Sequence, residues 1–199
     1  FYMGKQEYGL YQLMGSVTAY IGLMDFGLEM TVARFYTEYK AKKDSVRMEN
    51  LLAMSSLVYI VLGAGIILAG AVVYIYLGDI FSGSLSAAEL ESARRIFILL
   101  VTSILICVET QIFTAVIISA ERFIVFQAMT SISVVLQPII VLLVMQVSPY
   151  AYSFVLIQVV FFALNSMFQI YYAFRHLHMK ICYHGLDKSM IRSVSSFSF

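Results

Sequence analysis

Charge is scarce in this sequence: Asp, Glu, Lys and Arg make up only 13% of its 199 residues. A water-soluble domain carries roughly 25% charged and 45–50% apolar residues, whereas 61% of this chain is hydrophobic. That imbalance excludes an ordinary soluble domain and predicts a membrane protein. The net charge of +1 decides nothing as a total, because in membrane proteins the distribution carries the information. Cysteine is equally sparse. Cys107 within an apolar run and Cys182 in a basic stretch make no disulfide framework, and a thiol in such a run reads as a small apolar filler. The two prolines and the dispersed glycines and serines mark no linker between separate domains. No phosphate-cradling glycine loop, nucleophile elbow or metal-spaced His cluster appears, and no repeat of 20–50 residues is visible. His176 and His178 are two residues apart, which puts their rings on different faces of a helix, and no carboxylate or thiol cluster joins them. The expectation is therefore no catalytic machinery, no metal and no organic cofactor.

What the chain has is long apolar runs. Five are long enough to cross ~30 Å of hydrocarbon at 1.5 Å rise per residue: 10–33, 51–77, 96–120, 123–147 and 152–174. The runs are continuous and do not alternate at every second residue, which excludes a β-barrel. The predicted fold class is all-α, a polytopic membrane helix bundle. Residues 1–175 form its transmembrane lobe, 176–192 a basic interfacial segment, and 193–199 the beginning of a further helix. The chain opens on a polar stretch without a start methionine and stops on VSSFSF, so it reads as a piece of a longer protein.

Basic residues fall unevenly between the connections. Arg34, Lys40, Lys42, Lys43 and Arg47 follow the first run, Arg122 lies between the third and fourth, and Arg175, Lys180, Lys188 and Arg192 follow the fifth. Only Lys5, Arg94 and Arg95 belong to the opposite side. The positive-inside rule then makes 34–50 and 175–192 cytoplasmic and residue 1 external. Ser86 and Glu89 have the spacing of a capping box, predicting that the third span grows from a helix begun outside the bilayer. Ala120-Glu121-Arg122 and Ser148-Pro149 are short enough to close tight antiparallel hairpins.

Several polar residues interrupt these runs. Tyr11, Gly15, Thr18, Gly22, Asp25 and Glu29 recur at helical spacing on one face. Glu109 stands midway along the third run. The fourth holds Gln127, Thr130, Ser131 and Gln137 before Pro138, a residue that frees a carbonyl and kinks a helix. The fifth holds Gln158, Asn165, Gln169 and Tyr172. Ionisable groups within a membrane usually face the bundle interior or a hydrated cavity; small and polar residues also serve simply to pack helices together. Both readings stand at this level. Arg34 has Glu38 as its i,i+4 neighbour, and it reads either as a rim contact for an anionic substrate or as a snorkelling anchor.

Ordered motifs extend the reading. Gly4 to Tyr11 (GKQEYGLY), Leu23 to Leu28 (LMDFGL), Arg34-Phe35-Tyr36, Ala120 to Phe123 (AERF), Leu136-Gln137-Pro138 and Phe197-Ser198-Phe199 together resemble the polysaccharide biosynthesis flippases. That family shares a superfamily with multidrug and toxin exporters and with the lipid II flippase. The resemblance spans nearly the whole chain and rests on the order and spacing of the motifs. It implies two six-helix lobes around a cavity that opens alternately to either side, this chain being the first lobe without its first helix. It further implies transport of undecaprenyl-diphosphate-linked oligosaccharide to the outer leaflet of a bacterial cytoplasmic membrane. The implied partners are membrane lipids, the lipid-linked glycan, and a glycan polymerase or glycosyltransferases, with no nucleic acid. Asp25, Glu29, Arg34, Glu109, Arg122, Gln137, Asn165 and Gln169 are the expected cavity and substrate residues. A diphosphate calls for cations, yet the middle of the runs offers only Asp25, Glu29 and Glu109. Either the cavity arginines lie in helices outside this sequence, or these acids serve a coupling H+ or Na+, while Arg34 and Arg122 sit at the cytoplasmic rim. An ion-coupled exporter of amphipathic small molecules is the alternative.

Overall fold

The computed structural model describes residues 5–22, 28–81, 85–183 and 185. Every regular element among them is helical: α1 (Lys5–Gly22), α2 (Leu28–Ala41), α3 (Ser45–Phe81), α4 (Ala87–Ser119), α5 (Phe123–Val147) and α6 (Ala151–Arg175). Four of these, α3 to α6, are long and apolar enough to cross a membrane. At 1.5 Å per residue, α3 and α4 reach ~50–55 Å and α5 and α6 ~37 Å, all beyond the ~30 Å of a hydrocarbon core.

Their surfaces say what surrounds them. Leu57, Val61, Leu68 and Ile75 on α3, and Val135, Leu142 and Leu143 on α5, are exposed. In water a surface of this kind aggregates; in lipid it is the ordinary outer face of a span. The protein is a membrane-embedded helix bundle. Its first expected span, 10–33, falls on α1, on residues 23–27 outside the described set, and on the start of α2.

Close contacts divide the chain into two compact units. The first contains Phe1–Met24, Ala64–Ile106 and Ser131–Leu164; the second contains Asp25–Gly63, Cys107–Thr130 and Asn165–Phe199. The connections α3–α4 and α5–α6 belong to the first unit, and α2–α3 and α4–α5 to the second. The basic connections singled out in the sequence therefore gather in the second unit.

Within the first unit, α3 and α4 pack closely where side chains are absent. A Cβ on Gly70 would lie 3.1 Å from Val101 Cγ1, closer than packed carbons normally come. Tyr11 on α1 meets Phe154 on α6 edge to face, with ring centroids 5.1 Å apart. The Glu7 carboxylate accepts the Ala151 N–H at 2.9 Å, placing an acid at the N-terminus of α6 where free amides need one. The capping box is formed: Glu89 accepts from the Ser86 N–H and hydroxyl at 2.8 and 2.7 Å. α4 accordingly begins well before its apolar run at Ile96.

Within the second unit, both turns close in the same way. The Asp44 N–H donates to the Tyr39 carbonyl and the Lys43 N–H to that of Lys40, with Lys43 left-handed at φ 56°. The Arg122 and Glu121 N–H groups repeat the pattern on Ile117 and Ile118, with Glu121 also at φ 56°. These are Schellman caps, which satisfy the last carbonyls of a helix before the chain turns back. Asp44 then accepts from the Arg47 N–H at 3.0 Å and starts α3. Ser119 on α4 donates to the Ala33 carbonyl of α2 at 3.0 Å. After α6, Met179 is buried and the buried Asn50 amide donates to the Gly185 carbonyl at 3.1 Å, tying this stretch to the start of α3. Residues 176–183 are not helical, so a helical-face argument does not apply to His176 and His178; His176 stacks on Tyr172 at 5.0 Å, and His178 takes φ 50°. His184 and residues 186–199 lie outside the described residues.

Candidate functional site

In the second unit two side-chain hydrogen bonds join α4 to α6. Thr110 donates its hydroxyl to Ser166 at 2.8 Å, and Thr114 donates to Gln169 Oε1 at 2.6 Å. These partners are 56 and 55 residues apart, and so constant an offset means that α4 and α6 run in the same direction. One helix, α5, runs between them in sequence, as an up-and-down bundle requires. Phe113 and Phe174, 5.8 Å between centroids, close the apolar side of the same seam.

Next to this seam a small cleft opens towards α5. Thr130 and Met129 come from α5, Ile117 from α4, and Asn165, Phe168, Gln169 and Tyr172 from α6. Asn165, Gln169 and Tyr172 reach it together because steps of four and three residues stay on one helix face. The cleft has room for roughly one water molecule. Its polar equipment is uncharged: two carboxamides, one threonine hydroxyl and one phenol. Such a set orients water and hydroxyl-rich ligands, and it offers no nucleophile–base pair and no metal-ligand set.

Of the residues picked out in the sequence, Asn165 and Gln169 line this cleft. Glu109 precedes Thr110 on α4, about 100° around the helix from it. It is half-buried, it does not line the cleft, and among the described residues no hydrogen bond or ion pair reaches it. Arg34 is exposed on α2, and Glu29 is half-buried in the first turn of that helix. Glu38, four residues from both Arg34 and Lys42, pairs with Lys42 at 2.5 Å. That contact holds the Glu38 carboxyl below the usual carboxylate range, and Arg34 adds a smaller effect in the same direction. Arg122 is exposed in the α4–α5 turn. Gln137 is half-buried on α5 and belongs to the first unit, so it is not part of this cleft. Asp25 lies outside the described residues, as does the Thr18 side chain.

Thr110, Thr114 and Ser166 were not among the expected site residues. The i,i+4 threonine pair beside Glu109 was the available signal, but a threonine on an apolar helix commonly bonds its own backbone, as Thr102 does to the Ile98 carbonyl. No family profile, curated protein or solved structure matches the chain. The functional reading therefore rests on the bundle, the polar seam and the motifs in the sequence.

Proposed function

We propose that the chain belongs to a transporter that carries undecaprenyl-diphosphate-linked oligosaccharide from the cytoplasmic to the outer leaflet of a bacterial cytoplasmic membrane. The observation supporting this is the convergence of a hydroxyl from α5 with carboxamide and phenol groups from α6 on one cleft, beside the hydrogen bond from Thr114 of α4 to Gln169, inside otherwise apolar helices. The same unit carries the basic connections, with Arg122 exposed in the α4–α5 turn and Arg34 exposed on α2. A glycan must exchange its hydration for donors and acceptors of this kind, and a diphosphate calls for cations at its point of entry, where a guanidinium adds a two-donor fork. In this reading no covalent chemistry is performed and no cofactor is held, and the motifs described above set the substrate class. The cleft at its present size admits no sugar, so alternating access requires α5 to part from α6. The implied partners are the lipid-linked glycan, the surrounding lipids and the enzymes that make or polymerise the glycan.

A second reading, an ion-coupled exporter of amphipathic small molecules, is favoured by one observation. Glu109 is a carboxyl within a span that no described residue neutralises, and intramembrane acids of this kind commonly serve ion binding.

Exchanging Arg34 and Arg122 for Lys tests the first reading against the second. Lys satisfies the positive-inside rule as well as Arg but lacks the planar two-donor fork that matches phosphate oxygens. In cells lacking the native protein, the flippase reading expects normal protein level and lost surface glycan. Full surface glycan with Lys at both positions removes these residues from the mechanism.

A further inference from the structure

We propose that Arg94, Tyr74 and Gly78 form a binding site for the phosphate of an anionic phospholipid, a site separate from the transport reading above. All three belong to the first unit, on the facing surfaces of α3 and α4. The Arg94 guanidinium lies over the Tyr74 ring, 5.6 Å from its centroid. Its Nη2 stands 3.4 Å from where a Cβ on Gly78 would be, so a side chain at 78 would cover this side of the group.

What singles Arg94 out is the absence of a counter-charge. Its neighbour Arg95 pairs with Glu91, and Glu89 is taken up by Ser86. Among the described residues no carboxylate pairs with Arg94, and its buried Nε has no hydrogen-bond acceptor. A half-enclosed guanidinium costs free energy unless an acceptor reaches its remaining donors. An aromatic platform orients such a group without neutralising it, leaving its planar fork for an external anion.

Depth and surroundings favour a lipid over a free anion. Arg94 is the eighth residue of α4, ~10 Å along the axis from its start, and the apolar run begins two residues later at Ile96. Tyr74 is seven residues before the end of α3, at a matching ~10 Å. Both helices exceed the hydrocarbon thickness, so this level is that of phospholipid headgroups. Ile75, Ile80 and Ile98 are exposed close by in sequence and supply the apolar surface along which acyl chains run. A lipid with net negative charge fits better than a zwitterionic one, because its phosphate has no ammonium of its own to satisfy.

The test is a titration of the purified protein in detergent with short-chain phosphatidylglycerol, reading the shift of the unfolding temperature. A ligand of the native state raises that temperature with a half-saturating concentration that reports its affinity. The expected result is saturable stabilisation of the wild type, with the half-saturating concentration about tenfold higher in both Arg94→Gln and Arg94→Lys. Tyr74→Leu shifts it in the same direction by a smaller factor. Arg94→Lys and Tyr74→Leu keep the test decisive if the Gln variant does not fold. Equal titrations in wild type and variants, or no saturable shift in the wild type, overturn the site. Full affinity in Arg94→Lys reduces Arg94 to a charged anchor, which also overturns it. Stabilisation by inorganic phosphate equal to that by the lipid overturns the assignment to a lipid.

Discussion

Replacing Thr114 by Val deletes the hydroxyl that Gln169 accepts at 2.6 Å while nearly preserving volume. Gln169 also lines the cleft, where there is room for roughly one water. If water enters, it takes over the lost donor, and the cost stays near the ~0.6 kcal/mol typical of hydrogen bonds between membrane helices. Thr110→Val is the matched control. Thr110 and Ser166 are only 6% and 9% exposed and do not line the cleft. Water cannot substitute there, so leaving the Ser166 hydroxyl without this donor should cost about 1–2 kcal/mol. The measurement is a pair of double-mutant cycles, Thr114→Val with Gln169→Leu and Thr110→Val with Ser166→Ala, read by unfolding in mixed micelles. Transport is assayed on the same variants. Gln169→Leu should impair transport beyond its effect on stability, and Thr110→Val should not. If Thr114→Val costs as much as Thr110→Val, the cleft is dry. If transport then merely follows stability, the seam serves packing alone and the hydrated-path reasoning fails.

Three further outcomes follow from the packing, the cap and the charge distribution. Gly70→Leu should destabilise by about 1–3 kcal/mol because its Cβ would already crowd Val101 at 3.1 Å, and Val101→Ala in the same chain should recover part of the loss. The two hydrogen bonds from Ser86 hold the Glu89 carboxyl below its ordinary range, so the stabilising effect of the cap is complete above that range. It is lost as pH falls through the lowered value; the amide protection factors in the first turn of α4, corrected for the intrinsic pH dependence of exchange, should fall on acidification in the wild type and lose this pH dependence in Glu89→Gln. In a cysteine-free background, a cysteine at Ser84 should react with an impermeant thiol reagent from outside the cell and one at Ser45 should not, the reverse being the result that overturns the orientation.

The helical class was legible because its cause is local: continuous apolar runs of sufficient length have few alternatives to spanning a membrane. The Ser86–Glu89 cap was legible for the same reason, since four consecutive residues contain all of its chemistry. Asn165 and Gln169 could be noticed through helical spacing, yet Thr114, the partner of Gln169, could not. Which face of α4 meets α6 depends on the rotation of two helices whose contacting residues lie more than fifty positions apart, and spacing within one helix carries no record of it. Spacing likewise does not choose between Arg34 and Lys42, both four residues from Glu38; the Lys42 contact is visible only in the side-chain geometry. Arg94 drew attention only as a count on the less basic side; the Tyr74 platform and the Gly78 gap come from α3 and become visible only in the folded pair.

Transbilayer movement measured directly is the sharpest test of the transport reading. The protein would be reconstituted into liposomes with an undecaprenyl-diphosphate-linked oligosaccharide, and the glycan exposed on each face followed with time. Protein-dependent movement that is lost on exchanging Arg34 and Arg122 for Lys is the predicted result. Movement no faster than in protein-free liposomes, with correctly folded protein present, would contradict it.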